Sequence, residues 1–215
     1  MRPKIKTISN FRLKRKSVNY SRLQTILKSK IGIWIDGKIF WMKNGSEKLL
    51  PEQALSIKVI QREIHSKIKL LEIFVTNHNE KMREIKVIVL HSFEKFAHDD
   101  LTFFSPKERV FYHLAKRSMY LVNGLINDSF MHQYTVQPIW NVHADKFWEC
   151  KSLGTLKYQP MSHGPSNSLF TLNMKLSGSK TNRAQTWMIS GNSKEELLNL
   201  NHAVLKNTLA FQFEK

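Results

Sequence analysis

The sequence predicts an all-β protein, a two-sheet antiparallel sandwich followed by one C-terminal helix. Short runs rich in Val, Ile, Phe and Tyr recur along the chain with turn-forming residues between them, which is typical of β-strands. No helical periodicity separates these runs, so an alternating βαβ architecture is excluded. With 215 residues, 41% of them hydrophobic, the chain can form one packed core. We expect a leader at 1–30, a sandwich domain at 31–192, and a C-terminal helix and tail at 193–215.

The leader is strongly basic. It holds ten Lys and Arg residues and no Asp or Glu, in a chain whose net charge is +17. Four of these side chains cluster near its centre, at Arg12, Lys14, Arg15 and Lys16. A basic arm of this kind is either a solvated tail or a non-specific binding site for an anionic polymer such as nucleic acid.

Two hairpins are predicted at the start of the sandwich. Residues 31–42 form two apolar runs around Asp36-Gly37, and both of these residues tolerate the positive φ of a two-residue type I′ turn. The runs at 67–76 and 82–91 enclose an Asn-rich turn and are predicted to form the second hairpin. Both runs end almost wholly apolar, which indicates strands covered on both faces.

The remaining elements follow at shorter intervals. Further strands are predicted at 101–104, 109–114, 118–122, 133–140, 168–176 and 184–190. Residues 151–168 are rich in Gly, Pro and Ser and are expected to form a long loop. One helix is predicted at about 193–207, because Ser193 and Glu196 have the spacing of a capping box and an apolar stripe follows them.

Motifs for most catalytic chemistries are absent from the sequence. It contains no Gly-rich phosphate-binding loop, no nucleophile elbow and no HExxH motif, so the corresponding nucleotide, serine-hydrolase and zinc-peptidase classes are excluded. The densest group of polar candidates is His91, His98, Asp99 and Asp100, and it lacks the spacing of a metal site. We therefore expect no metal, no cofactor and no catalytic residue.

The cysteine content indicates the compartment. Cys150 is the single cysteine, so a disulfide-stabilised secreted scaffold is excluded and a cytoplasmic location is expected. No motif beside it lowers a thiol pKa, so we expect an inert thiol. The chain has no apolar run long enough for a membrane span, and none is expected.

Tryptophan side chains are the best candidates for ligand contacts, because exposed aromatic rings can stack on sugars or on unpaired bases. Trp34 and Trp187 are expected in the core. Trp140 and Trp148 flank the loop 141–147 and are expected to be partly exposed, which makes them the candidate ligand-binding residues.

Three segments of the chain resemble a known domain. They are IGIWIDGKIFWMKNG at 31–45, HSKIKLLEIFVTNHNEKMREIKVIVLHSF at 65–93, and HDDLTFFSPKERVFYHLAKRSMYLVNG at 98–124. In order and spacing they are similar to the N-terminal β-sandwich of bacterial and archaeal glucoamylase-type glycoside hydrolases. The resemblance implies a supersandwich, meaning two large antiparallel sheets packed face to face. That family carries its two catalytic glutamates on a helical barrel with no counterpart in these residues, so no catalytic residue is transferred.

Three functional hypotheses remain open at this point. The first is a non-catalytic β-sandwich that binds a glycan or a partner protein. The second is a basic nucleic-acid-binding protein that acts through its leader, although no nucleic-acid-binding motif accompanies the charge. The third is an accessory subunit that completes a separately encoded glycoside hydrolase barrel.

Overall fold

The structure is a computed structural model and describes residues 26–42, 45–116, 118–127 and 129–210. The strands in these residues are β1 Leu27–Ile35, β2 Lys38–Trp41, β3 Glu47–Leu50, β4 Leu55–His65, β5 Ile68–Asn77, β6 Arg83–Phe93, β7 Leu101–Ser105, β8 Val110–Ala115, β9 Ser118–Ile126, β10 Ser129–Phe130, β11 Gln133–Pro138, β12 Trp148–Cys150, β13 Thr155–Leu156, β14 Met161–His163, β15 Ser166–Leu176 and β16 Thr181–Gly191. The helices are α1 Ile139–His143 and α2 Lys194–Ala210, with a 3₁₀ turn at Pro51–Gln53.

Two large antiparallel sheets form the body of the molecule. Sheet A has five strands in the order β11-β15-β6-β1-β2. Sheet B has nine strands, with the order β14-β7-β8-β9-β16-β5-β4-β3 and with β10 added beside β9. Strands β12 and β13 form a separate small pair. The predicted fold class, an all-β supersandwich with one C-terminal helix, is therefore confirmed.

The main hydrophobic core lies between the two sheets. Alternate side chains of each strand point into it, as the period of two in a pleated strand requires. Ile33 and Val87 enter from sheet A and meet Ile73 and Phe111 from sheet B, and all four are buried. The outer faces of both sheets are also partly covered. Helix α2 packs on sheet B through Leu197 and its neighbours, while residues 139–156 pack on sheet A.

The first predicted hairpin is confirmed. Strands β1 and β2 pair in the register Ile35↔Lys38, which leaves a two-residue loop between them. Asp36 and Gly37 both have positive φ, 50° and 78°. A type I′ turn needs this geometry, and its twist matches that of the flanking strands.

The second predicted hairpin is wrong in its pairing. Strand β5 pairs with β4 and β16 in sheet B, whereas β6 pairs with β1 and β15 in sheet A. The Asn-rich turn does form, since the Asn77 side-chain amide donates to the Lys81 carbonyl at 2.9 Å and the Asn79 amide donates to Asn77 Oδ1 at 3.0 Å. It carries the chain from one sheet to the other. Each strand contains an apolar stretch, at 73–75 and at 87–90, because each lies inside a different sheet.

Several boundaries also differ from the predictions. Strand β1 begins at Leu27, so residues 27–30 of the predicted leader are paired with β6 in sheet A. Strands β3 and β4 fall in a stretch for which no strand was predicted. The predicted loop 151–168 contains β13, β14 and the first residues of β15. The short helix α1 takes the last two residues of the predicted strand 133–140.

The capping box at the start of α2 is confirmed. The Glu196 amide donates to Ser193 Oγ at 3.2 Å. The Glu196 carboxylate accepts from the Asn192 amide at 2.9 Å, one residue before the expected partner. These bonds satisfy backbone donors that a helix N-terminus leaves open. No helix in the described residues is long and apolar enough to cross a membrane.

Candidate ligand-binding site

The two tryptophans predicted to bind a ligand lie in different environments. Trp140, on α1, is 59% exposed, as expected. Trp148, on β12, is only 6% exposed, so the expectation of partial exposure is wrong for this residue. Its indole N–H donates to Asp145 Oδ1 at 3.0 Å, and its ring packs on Phe147 with centroids 4.7 Å apart. The ring fills the space between sheet A and the segment that covers it, and it offers little surface to a ligand.

Other tryptophans serve the fold. Trp187 is fully buried, which confirms its predicted core position. Trp34 was expected in the core, and this expectation is wrong: the ring is half-buried on the outer face of sheet A, where the Lys86 amino group lies 5.1 Å from its centroid. The amino group of Lys30 lies 4.9 Å from the ring of Trp41 in the same way. Lysines therefore cover the rings of Trp34 and Trp41.

A cavity of about 240 Å³ lies at one end of the sandwich, and we name it the aromatic cavity. Its lining residues come from the ends of strands and from the turns that join them: Phe104, Pro106, Arg109, Phe130, Met131, His132 and Tyr134. Strands β7, β8, β10 and β11 all end or begin beside it. Sites of this kind, concave and apolar with a few polar groups, are the usual places where proteins bind small molecules.

Stacked aromatic rings form the wall of this cavity. Phe104 and Tyr134 stack with centroids 3.6 Å apart and an interplanar angle of 21°. Tyr158 meets the edge of Tyr134 at 5.9 Å and is itself 71% exposed. Its segment is fixed by two backbone hydrogen bonds, from the Phe104 amide to the Pro160 carbonyl at 2.8 Å and from Val136 to Gln159 at 2.6 Å. The result is an exposed aromatic ring held beside a stacked pair.

Hydrogen-bond donors surround the rings. The Arg109 guanidinium lies 4.9 Å from the Phe130 ring and forms no ion pair with a described carboxylate. Its backbone has φ 55° and its amide donates to the Ser105 carbonyl at 2.7 Å, so a tight turn holds it in place. Burial, and then the neighbouring Tyr158, raise the pKa of Tyr134, so its hydroxyl stays protonated at neutral pH. None of the described residues that line the cavity is an Asp or Glu.

The buried carboxylates of the described chain have structural partners elsewhere. Asp100 accepts from the Ala97 amide at 2.8 Å, and burial raises the pKa of this carboxyl group. Glu72 lies between Arg62 and Arg183 on the outer face of sheet B. Asp100 thus closes a turn, and the charge of Glu72 is neutralised by the two arginines. Neither carboxylate belongs to the pair of carboxylates that glycoside hydrolysis requires. The described residues contain no group of three potential metal ligands.

The cysteine differs from its predicted state. Cys150 is free and half-buried, and its Sγ lies 3.2 Å from Ser152 Oγ. Hydrogen bonding to Ser152, and then to the Leu153 backbone, lowers the pKa of the thiol. The expectation that nothing around it lowers the thiol pKa was therefore wrong.

Sequence reasoning missed the aromatic cavity. Its residues come from separate segments, and Phe104 and Tyr158 are far apart in the chain although both contact Tyr134. The available signal was the recurrence of aromatic residues beside turn prolines, at Phe104 with Pro106 and at Tyr158 with Pro160. The leader residues Arg12, Lys14, Arg15 and Lys16 lie outside the described residues.

Comparison by sequence finds no relative: no protein-family model matches the chain, and no curated protein matches it. Comparison by structure finds several matches. A bacterial glucoamylase in complex with acarbose superposes with a TM-score of 0.55 at 10% sequence identity, over 83% of this chain and 30% of that enzyme. This chain thus spans less than a third of the length of that glucoamylase.

Two further solved structures match with lower scores. A kojibiose phosphorylase from the human microbiome has a TM-score of 0.40 and 11% identity, over 88% of this chain and 26% of its own. A polysaccharide lyase has a TM-score of 0.35 and 12% identity, over 79% of this chain and 26% of its own. Scores this low carry no argument. The glucoamylase match establishes the fold, and it confirms the resemblance to the N-terminal β-sandwich of glucoamylase-type enzymes that the sequence predicted.

Proposed function

We propose that this chain is a glycan-binding β-sandwich that does not hydrolyse its ligand, and that the aromatic cavity is its binding site. One observation carries the proposal: an exposed tyrosine, a stacked aromatic pair and a guanidinium converge on one cavity, and among the described residues no carboxylate lines this cavity or pairs with the guanidinium. Aromatic rings stack on the apolar faces of sugars, while guanidinium, imidazole and phenol groups hydrogen-bond to their hydroxyls.

The fold gives this proposal support of a weaker kind. The matched glucoamylase was solved with acarbose, and this chain has the fold of part of that enzyme. A shared fold does not transfer an activity, because function depends on the residues of the site. Hydrolysis is left out of the proposal because no described residue that lines the aromatic cavity is an Asp or Glu, the residue types that glycoside hydrolysis ordinarily uses as acid and nucleophile.

Titration of the full chain with maltooligosaccharides, followed by calorimetry or NMR, tests the proposal. We expect saturable binding, and we expect Tyr158→Ala to weaken it roughly three- to tenfold, as the loss of one aromatic stacking contact would. Trp140→Ala is the matched control, because Trp140 is also an exposed aromatic residue but lies at the other end of β11. We expect binding by this variant to match that of the unmodified chain.

Three results would contradict the proposal. If no oligosaccharide of a panel binds saturably, the proposal that the ligand is a glycan is wrong. Loss of binding in Trp140→Ala but not in Tyr158→Ala would place the ligand at α1. Release of glucose from starch or maltooligosaccharides, absent from a mock preparation, would show that the protein is catalytic.

The charge of the leader supports a second candidate function. Ten of the basic residues lie in residues 1–30 without an acidic neighbour. In this alternative the leader binds nucleic acid through phosphate contacts, and the affinity falls steeply as salt increases. The third hypothesis, completion of a separately encoded barrel, depends only on the likeness in fold.

A further inference from the structure

On one side of the sandwich, the described residues leave parts of two strand edges without a paired strand. Strand β2 pairs with residues 32–35 of β1 and leaves 27–30 without a described neighbour on that side. Strand β3 likewise pairs with residues 55–58 of β4 and leaves 60–65 without a described neighbour on one side. Each open stretch is hydrogen-bonded on its other side, to β6 and β5 respectively. The described edges of both sheets are thus incomplete at the same place.

The backbone of β1 directs hydrogen-bonding groups towards this side of the sandwich. The Ile31 carbonyl accepts from the Met42 amide at 2.8 Å on the open side, while the Ile26 carbonyl accepts from the Glu94 amide at 2.9 Å on the other. Backbone groups two residues apart in a strand point the same way. The amides and carbonyls of Leu27 and Ser29 therefore face the same side. The Leu27 amide is hydrogen-bonded there to Tyr120, whereas the Leu27 carbonyl and the backbone of Ser29 have no described partner on that side.

A groove runs between the two edges. It consists of two adjoining cavities of about 400 and 650 Å³ that share Ile26, Leu27, Lys69 and Met188 as lining residues. Its floor is the edge of the hydrophobic core, formed by side chains that are buried or nearly so: Leu27, Ile31, Met42, Leu71 and Met188. An apolar floor between free strand edges fits an extended polypeptide.

The rim of the groove is positively charged. Four lysines line the two cavities, and no Asp or Glu does: Lys28, Lys30, Lys67 and Lys69. Lys28 and Lys67 form ion pairs with Glu94 and Glu196 outside the groove. Lys69 is exposed and has no described hydrogen-bond or ion-pair partner. The rim therefore attracts acidic groups.

We propose that this groove binds an extended acidic segment of a partner protein, which adds as a strand to residues 27–30 of β1. In such a segment alternate residues would point to the apolar floor and to the lysines, so its pattern is apolar–acidic–apolar–acidic. Lysines on an edge strand discourage pairing with neutral or basic strands, and they attract acidic strands. A nucleic acid would use the charge but neither the free backbone edge nor the apolar floor.

A labelled eight-residue peptide of alternating Glu and Val tests the proposal in a fluorescence anisotropy titration of the full chain. A peptide with four Glu followed by four Val has the same charge without the alternation. We expect the alternating peptide to bind saturably and the block peptide to bind at least fivefold more weakly. A single-stranded thymidine oligonucleotide is the competitor for the nucleic-acid outcome, and we expect it to leave peptide binding in place at 0.15 M salt.

Charge-reversal variants locate the site. Lys30→Glu with Lys69→Glu should weaken peptide binding at least tenfold. Lys180→Glu with Lys206→Glu changes the net charge equally at exposed positions outside both cavities, and this variant should stay within twofold of the unmodified chain. Circular dichroism and thermal unfolding check that each variant is folded.

Hydrogen exchange provides a readout that is independent of the variants. The amide of Ser29 should become protected when the alternating peptide binds. Equal losses in the two charge-reversal variants would overturn the proposal, and so would equal binding of both peptides. Displacement of the peptide by the oligonucleotide, or unchanged exchange at the Ser29 amide, would each overturn it as well.

Discussion

At the scale of single residues, the most unusual feature is a pair of histidines inside the main core. His113 is hydrogen-bonded to Ser168 Oγ at 2.8 Å and to Thr102 Oγ1 at 3.2 Å. His91, whose ring centroid is 6.4 Å from that of His113, has no described hydrogen-bond partner at either ring nitrogen. Burial lowers the pKa of His113 to about 3. Burial, and then the nearby His113, lower the pKa of His91 well below its ordinary value.

These lowered pKa values predict a loss of stability in acid. Below about pH 6.5, the ordinary histidine pKa, the unfolded chain binds protons that folded His91 and His113 do not. The stability that the two neutral histidines give the folded protein is fully present above that pH. The free energy of unfolding falls as the pH decreases from about 6.5 towards 3, by up to about 1.4 kcal/mol per pH unit for each histidine. Urea unfolding at pH 7.5 and at pH 5 measures the difference.

A variant assigns this pH dependence. His91→Leu removes one of the two groups and a buried, unpartnered imidazole, so we expect a smaller loss of stability between pH 7.5 and 5. His202→Leu, at an exposed position on α2, should keep the full pH dependence. If His91→Leu and the unmodified chain lose the same stability in acid, the histidine explanation is wrong.

At the scale of elements, helix α2 is docked by one buried amide as well as by apolar contacts. Asn201 Oδ1 accepts from the Trp187 indole N–H at 2.8 Å and from the Asn123 side chain at 3.4 Å. Leu197 and Val204 flank it on the buried face of the helix. The helix register on sheet B is therefore fixed by directional bonds to two neighbouring strands.

Asn201→Ala should lower the free energy of unfolding by about 1–3 kcal/mol, because it leaves the buried Trp187 N–H without its acceptor. Asn199→Ala, exposed on the same helix, is the matched control and should change stability by less than about 0.5 kcal/mol. Chemical denaturation monitored by tryptophan fluorescence measures both. Equal effects of the two substitutions would mean that the Asn201 bonds contribute nothing specific.

The elements also show what a sequence can specify. Asp36-Gly37 determines a local turn, so the pairing of β1 with β2 was predictable. The apolar runs of β5 and β6 indicated buried strands, but a hydrophobic pattern does not name the neighbouring strand. Strand β4 was not predicted because its residues from Gln61 onwards are exposed and mostly polar, which is typical of a strand at the edge of a sheet. Trp148 was misplaced because its burial depends on the distant strands it covers.

At the scale of the whole molecule, the leader and the sandwich meet at β1, and two truncations separate their roles. Removal of residues 1–25 takes away eight basic residues and no described strand. We expect the thermal midpoint to change little and most of any DNA or RNA binding to disappear. Removal of residues 1–30 also deletes half of the β1–β6 pairing and the buried Leu27, so this protein should be clearly less stable.

Thermal unfolding and a salt titration of nucleic-acid binding test both truncations. A large drop in the midpoint after removal of 1–25 would show that the leader is a structural part of the sandwich. Salt-resistant, sequence-selective binding by the chain without residues 1–25 would show that the sandwich itself binds nucleic acid.

The crossing of the chain from β5 to β6 has a consequence for how the protein folds. Because β5 and β6 enter different sheets, the only local partner of β5 is β4, and its other neighbour is the distant β16. The Thr76 and Thr181 side chains that meet between β5 and β16 are 105 positions apart. Closing so long a loop costs entropy before any pairing energy returns. Topologies dominated by distant pairings refold in milliseconds to seconds, so refolding should be slow. The two sheets should also appear together, in one kinetic phase.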